Sequence, residues 1–182
     1  MNSSPSENQI DKPLVRQRFA RSLDTYDEAA CVQREMAHEL LRTLVEATQG
    51  RRLYPRIVEA GCGTGILTEC MEKALEYEEL RLIDIVPECG RFHLKRKKAA
   101  FIAGDVESVE LPGQNDLFAA NAVFQWAENQ QALLDRIKRS LNARGVLAFT
   151  TFGPENLREI GELTGGRLHY ATMDEWRNML QK

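Results

Sequence analysis

The run Ile57-Val58-Glu59-Ala60-Gly61-Cys62-Gly63-Thr64-Gly65 constrains this chain more than any other stretch. Two β-branched residues lead toward an acidic one, and glycine then occupies every second position. Ile66-Leu67-Thr68-Glu69 follows as the apolar start of a helix. A strand ending in such a turn lets main chain approach a ligand where a Cβ would collide. The helix opening there aims its free N–H groups and positive dipole end into the turn. Such a place suits a ligand whose carboxylate or phosphate lies close to backbone.

Spacing narrows the ligand. A dinucleotide fingerprint requires G-x-G-x-x-G, and its third glycine would fall at Ile66. A P-loop requires Gly-Lys-Ser/Thr after four spacers, which Ile66-Leu67-Thr68 does not supply. The remaining pattern, acidic-x-Gly-x-Gly-x-Gly, resembles the first motif of class I S-adenosylmethionine (SAM) methyltransferases. A glycine-rich turn without a ligand is the bland alternative, but three alternating glycines would serve little purpose in it.

The 182 residues suit one domain with a real core. Residues 1–10 are expected to be a disordered lead-in, and residues 11–182 a single domain. A net charge of −3, from 24 basic and 27 acidic residues, argues against a general nucleic-acid binder. No apolar run approaches a membrane span, and the first residues lack the apolar stretch of a signal peptide. Cys31, Cys62, Cys70 and Cys89 form no C-x-x-C pair and have no histidine at metal-ligand spacing. No metal is therefore expected, and reduced thiols in the cytoplasm fit best. Cys62 is too far from any histidine in sequence to suggest an activated nucleophile.

Asp11-Lys12-Pro13 predicts a helix start, with the helix running over residues 14–23. Ala29, Val32, Met36, Leu40 and Leu44 recur at three or four and predict a helix over residues 28–48, stopped by Gly50. From Pro55 strands and helices alternate. Strands are expected at residues 56–60, 80–84, 100–103, 116–120 and 145–152. Helices are expected at 65–75, 87–98, 129–142, 154–163 and 173–180. This alternation predicts an α/β fold, a Rossmann-like doubly wound parallel sheet with right-handed crossovers.

In such a sheet the ligand lies beyond the carboxyl ends of the strands. Strand two ends at Asp84, nineteen residues beyond Gly65. An acidic residue there can accept from both hydroxyls of a ribose; capping the helix before Pro87 is its other reading. Strand three leads into Gly104-Asp105-Val106-Glu107, and strand four into Asn121-Ala122-Val123-Phe124-Gln125-Trp126. The latter, apolar with two amides and an indole, is either a substrate wall or a buried helix start.

The resemblance becomes narrower outside the glycine turn. Phe19-Ala20-Arg21, Tyr26-Asp27-Glu28-Ala29-Ala30-Cys31-Val32-Gln33, the stretches after strands three and four, and Leu147-Ala148-Phe149-Thr150-Thr151-Phe152-Gly153-Pro154-Glu155-Asn156-Leu157-Arg158-Glu159-Ile160 carry it. They are similar to malonyl-[acyl-carrier protein] O-methyltransferases of biotin synthesis, over about residues 14–160. The resemblance implies an N-terminal helical lid and SAM as cofactor. It implies cofactor contacts from Tyr26, Gln33, Glu59, Gly61, Cys62, Gly63, Gly65, Asp84 with Ile85, Asp105 with Val106, and Asn121. Asp105 would accept from the adenine amino group, and Glu59 would hold the methionine ammonium. Asn121, Gln125, Trp126 and Phe152 are the expected substrate wall.

The implied substrate is the free carboxylate of a malonyl group on acyl-carrier protein. That carboxylate is ionised at neutral pH, so no general base is required, and His38, His93 and His169 need no catalytic role. The carrier protein is acidic, which makes Arg16, Arg18, Arg21 and Arg158 the candidates for its docking rim. Lys95-Arg96-Lys97-Lys98 is excluded because it precedes strand three, at the sheet's opposite end. The family's fold continues past strand five into an antiparallel strand pair, for which no segment remains before Lys182. Strand five is therefore expected at an exposed edge: either the chain is a C-terminally truncated product, or a partner chain or a dimer copy covers that edge. Methylation of another small molecule, or SAM binding without catalysis, are the alternative functions.

Overall fold

Five short apolar segments pair side by side as parallel strands. They are β1 (Arg56–Ala60), β2 (Glu79–Asp84), β3 (Ala99–Ala103), β4 (Asn115–Asn121) and β5 (Leu141–Thr150), in the order β3-β2-β1-β4-β5. The computed structural model describes residues 10–156 and 170–181. In β1 and β4 successive side chains serve opposite faces, and both faces are covered. Ile57, Leu82, Leu117 and Ala119 pack on one side against helices α3 (Cys31–Ala47) and α4 (Ile66–Ala74). Val58, Ala60, Phe118 and Ala120 pack on the other against α5 (Gln130–Ser140) and Trp176 of α6 (Met173–Leu180). A parallel sheet buried on both faces explains why its strands read as continuous apolar runs. β3 and β5 border the described sheet, and no described strand pairs with the outer edge of β5.

Local signals set most boundaries. The Asp11 side chain accepts from the Leu14 N–H at 2.9 Å, with proline in the first turn, and starts α1 (Lys12–Ser22). Asn129 caps α5 in the same way, and Thr172 with Glu175 forms a reciprocal capping box on α6. Gly50, at φ +87°, ends the connection after α3 by donating to the Val45 carbonyl at 2.8 Å.

Two expected helices are corrected. The helix expected over residues 28–48 is broken at Ala30 into α2 (Tyr26–Ala29) and α3. Arg34 explains the break: its guanidinium takes the Asp27 carbonyl at 2.6 Å, which a continuous helix would have used itself. The helix expected over 87–98 is only a 3₁₀ turn, Pro87–Phe92. A Cβ on Gly90 would lie 2.9 Å from the Phe101 ring, and His93 turns inward, so tertiary contacts end the helix early. β5 starts earlier than expected, at Leu141, through a register irregularity opposite Asn115. Residues 1–9 and most of the helix expected over 154–163, Arg158 included, lie outside the described residues, as does His169.

Phe118 is fully buried at the centre of the second layer, among Val58, Leu133 and Ile137. Phe118→Ala should lower the unfolding free energy by about 3–5 kcal/mol in urea denaturation. A loss below about 1 kcal/mol would mean that this layer is not a packed core.

Candidate active site

From β1 the chain winds outward through β2 and β3; it then returns to lay β4 beside β1 and continues to β5. That reversal opens a crevice beyond the carboxyl ends of β1 and β4. A cavity of about 230 Å³ occupies it. Its floor is the glycine turn, its walls are the segments following β2, β3 and β4, and α1 and α2 close over it.

The glycines of the turn have different tasks. Gly61, at φ +65°, could not carry a Cβ, which would stand 2.2 Å from Val123 Cγ2. It makes room for the close approach of the β4 loop and also lines the cavity. Gly63, at φ +50°, is the one whose missing Cβ would meet no protein atom within 4 Å. Gly65 is absent from the cavity lining and instead caps α4 in a left-handed conformation. Each of the other cofactor positions expected from the sequence lines the cavity, as do Asn121, Gln125, Trp126 and Phe152.

Asp84 is 8% exposed. Its Oδ2 accepts from the Gly63 N–H and its Oδ1 from the Val86 N–H, both at 2.8 Å. It therefore holds the glycine turn and caps its own loop at once. Burial raises its pKa, against the pull of these two amides. The Cys89 side chain also hydrogen-bonds to this carboxylate, so of its about four acceptor positions one remains for a ligand.

Asp105 Oδ1 accepts from the Glu107 N–H at 2.9 Å. Its other oxygen pairs with Lys12 of α1, which also pairs with Glu107. Glu107 in turn accepts from the N–H groups of Glu128 and Asn129, each at 2.9 Å. Burial disfavours the Lys12 ammonium, but the two carboxylates outweigh it and raise its pKa. In sequence Lys12 is marked only by its position beside a proline, and no motif signals this role. Thr64 Oγ donates to Asp27 of α2 at 2.6 Å, a second tie between lid and turn.

The wall beyond β4 is built from tethered amides. Asn121 donates to the Gln33 carbonyl at 2.9 Å and accepts from Thr150 Oγ at 2.6 Å. Gln125 donates to the Ala122 carbonyl at 2.7 Å and accepts from Thr151 Oγ at 3.2 Å. Trp126 meets Phe19 edge-on at 5.8 Å, and Phe19 lies 6.3 Å from Tyr26, a row of rings between lid and wall. Burial raises the Tyr26 pKa, with Asp27 and Asp84 adding to the shift. Phe124 turns away into the core, 4.7 Å from Phe149, so wall and core divide this stretch between them. The Cys62 thiol is buried and its pKa is pushed up by desolvation, the opposite of an activated nucleophile. Lys98 reaches the Tyr77 carbonyl below the amino ends of the strands, far from the crevice.

Fold, glycine turn and strand-end acids together define a domain of the methyltransferase class: residues 58–149 match the family model described as a methyltransferase domain. Similar solved structures include the N-methyltransferase NodS of Bradyrhizobium japonicum in complex with S-adenosylhomocysteine. Its TM-score is 0.71 at 22% identity, covering 91% of this chain and 84% of that one. The plantazolicin methyltransferase BpumL in complex with S-adenosylhomocysteine gives 0.68 at 19%, covering 94% and 76%. Among sequence relatives, the malonyl-[acyl-carrier protein] O-methyltransferase of Chlorobium phaeovibrioides is 38% identical over 172 residues, covering 91% of this chain and 66% of that protein. The protein of the same name from Chlorobium luteolum is 36% identical, covering 94% and 68%. That from Bacteroides thetaiotaomicron is 34% identical, covering 91% and 64%. The chain belongs to the malonyl-[acyl-carrier protein] O-methyltransferase family, and it spans about two thirds of the length of these relatives.

Glu59, 1% exposed under α4, accepts from Thr68 Oγ at 2.7 Å. Burial raises its pKa to about 8, although Thr68 and Arg96 pull the other way. A group whose pKa is higher folded than unfolded stabilises most below the unfolded value. That contribution should be full below about pH 4.5 and lost as pH rises toward about 8. Urea midpoints measured from pH 5 to 8.5 should fall more steeply for the wild type than for Glu59→Gln. Parallel curves would show that Glu59 is already ionised in the folded chain.

Proposed function

We propose that this chain methylates the free carboxylate of a malonyl group carried on acyl-carrier protein, using SAM, as an early step of biotin synthesis in the cytoplasm. The observation that carries the reading is the buried Asp84 carboxylate, lining the cavity beside the open face of Gly63. A ribose hydroxyl needs such an acceptor, and an amino-acid chain lying along the turn needs the space a Cβ would take. The residues present therefore fit SAM. Asp84 would hold the ribose and Asp105 the adenine amino group, sharing its carboxylate with Lys12. Glu59 would face the ammonium. An arriving cation favours its ionised form, so binding near neutral pH would release a proton from it.

SAM, when bound, supplies an electrophilic methyl group. The chain's own contribution is positioning and exclusion of water. Charge is destroyed as carboxylate and sulfonium become neutral, so water favours the reactants over the transition state and a dry pocket speeds the reaction. Trp126, Phe19 and Tyr26 supply that cover. The Asn121 and Gln125 amides are held by the scaffold and can orient a carboxylate without reorganising. An ionised malonyl carboxylate needs no proton removed, which suits a wall without a general base.

The acidic carrier would dock on α1. Arg16, Arg18 and Arg21 are exposed there, and the helix contains no acidic residue. The excess positive charge of this helix, which covers the cavity, would steer a negatively charged partner toward it.

Asp84→Ala should weaken SAM affinity by about tenfold or more in calorimetry, the loss expected for hydrogen bonds to a charged group. Lys97→Ala should change it less than about twofold, and equal effects would defeat the strand-end argument. Mass spectrometry of malonyl-carrier protein incubated with SAM should show the malonyl group gaining one methyl ester. Replacing Arg16, Arg18 and Arg21 by glutamate should raise KM for the carrier substrate and leave the affinity for S-adenosylhomocysteine unchanged. Tight SAM binding with the malonyl group left unmodified would favour a binding role; transfer only to free malonyl thioesters would remove the carrier from the proposal.

A further inference from the structure

We propose that His93 and Arg96 are a positioning pair that sets the height of the glycine turn, and through it the affinity for the cofactor. The inference rests on the SAM reading of the crevice. In sequence His93 belongs to no motif, and Arg96 is one of four consecutive basic residues expected at the opposite end of the sheet. The structure places both directly beneath the turn.

His93 is 4% exposed. Its Nε2 lies 3.1 Å from the Gly63 carbonyl oxygen. Its Nδ1 accepts from Arg96 Nε at 3.2 Å. A guanidinium has no lone pair to offer, so Nδ1 must be the bare nitrogen and Nε2 the one carrying hydrogen. Desolvation holds the His93 pKa below the usual value, which keeps the ring neutral and this tautomer in place. Arg96 is anchored from behind by Glu72 at 2.5 Å. The imidazole stacks on Phe101, with centroids 6.2 Å apart and planes within 12°. The ring thus has one orientation, and its N–H points at one carbonyl.

Both polar groups of the Gly63 residue are then held by side chains, one from the last residue of β2 and one from the connection between β2 and β3. The N–H donates to Asp84 and the C=O accepts from His93. Gly63 is the residue that faces the ligand space, so tilting its peptide moves the floor of the crevice. Gly65 supports the same arrangement independently. A Cβ there would lie 2.9 Å from Arg96 Nη2 and 3.3 Å from His93 Cε1, so the third glycine makes room for the pair.

The test compares His93→Phe, which keeps the stacking ring but has no donor, with His93→Gln, whose amide can still donate to the Gly63 carbonyl. Arg96→Met removes the tautomer lock while leaving His93. His93→Phe should weaken S-adenosylhomocysteine binding about tenfold, the effect of one buried hydrogen bond. It should also speed hydrogen exchange of the Gly63 and Gly65 amides, measured without ligand, by a similar factor. His93→Gln should recover most of both losses, and Arg96→Met should fall between. Unchanged amide exchange in His93→Phe, or a glutamine variant as impaired as phenylalanine, would overturn the proposal. Should His93→Phe fail to fold, Gln against Met gives the same ranking. A wild-type chain that does not bind S-adenosylhomocysteine would refute the SAM reading itself, and the exchange measurement would still judge the pair.

Discussion

The contact between the Gly63 N–H and the Asp84 carboxylate organises this molecule. It joins the turn after β1 to the end of β2, across the strand pair where the crevice begins. A carboxylate taken this far from water must be compensated by hydrogen bonds or lose its charge. The turn supplies one of those bonds, the Val86 amide another and the Cys89 side chain a third. The demand runs both ways, because the Gly63 amide takes its partner from this side chain, whereas the Gly61, Cys62 and Gly65 amides donate to main-chain carbonyls. Each partner solves the other's desolvation problem, and the ligand space lies where they meet.

The lid depends on the same economy of charge. Lys12 closes α1 onto the β3 loop by lying between Asp105 and Glu107. Asp27 closes α2 onto Thr64. Between these polar ties the cover is aromatic, through Phe19, Tyr26 and Trp126. Polar ties at the ends with rings between them hold the cover on the crevice and keep water out of it. That combination suits chemistry in which opposite charges annihilate, for which bulk water is the wrong medium.

Much of this could be read from residue order. The alternation of strands and helices, the glycine turn, the acidic residues at the strand ends and the caps at Asp11 and Asn129 all depend on neighbours within a few positions. Periodicity and capping are local physics, so they survive in one dimension. The expected helices over 28–48 and 87–98 went wrong where a distant or branching contact intervened: Arg34 reaching back to Asp27, and Phe101 pressing on Gly90. Propensity has no knowledge of either.

By itself, the order of residues determined the sheet, the switch point and the identity of the groups that face it, because apolar period and turn chemistry leave few alternatives. Only the tertiary structure decided which glycine faces the ligand, which amides are already committed, and that a lysine, a histidine and an arginine without any motif brace the site. Gly61, Gly63 and Gly65 look alike in sequence. What separates them is the atom standing where each Cβ would be, namely Val123 for the first, open space for the second, and Arg96 with His93 for the third. That distinction is a matter of distances between residues far apart along the chain, which no local pattern encodes.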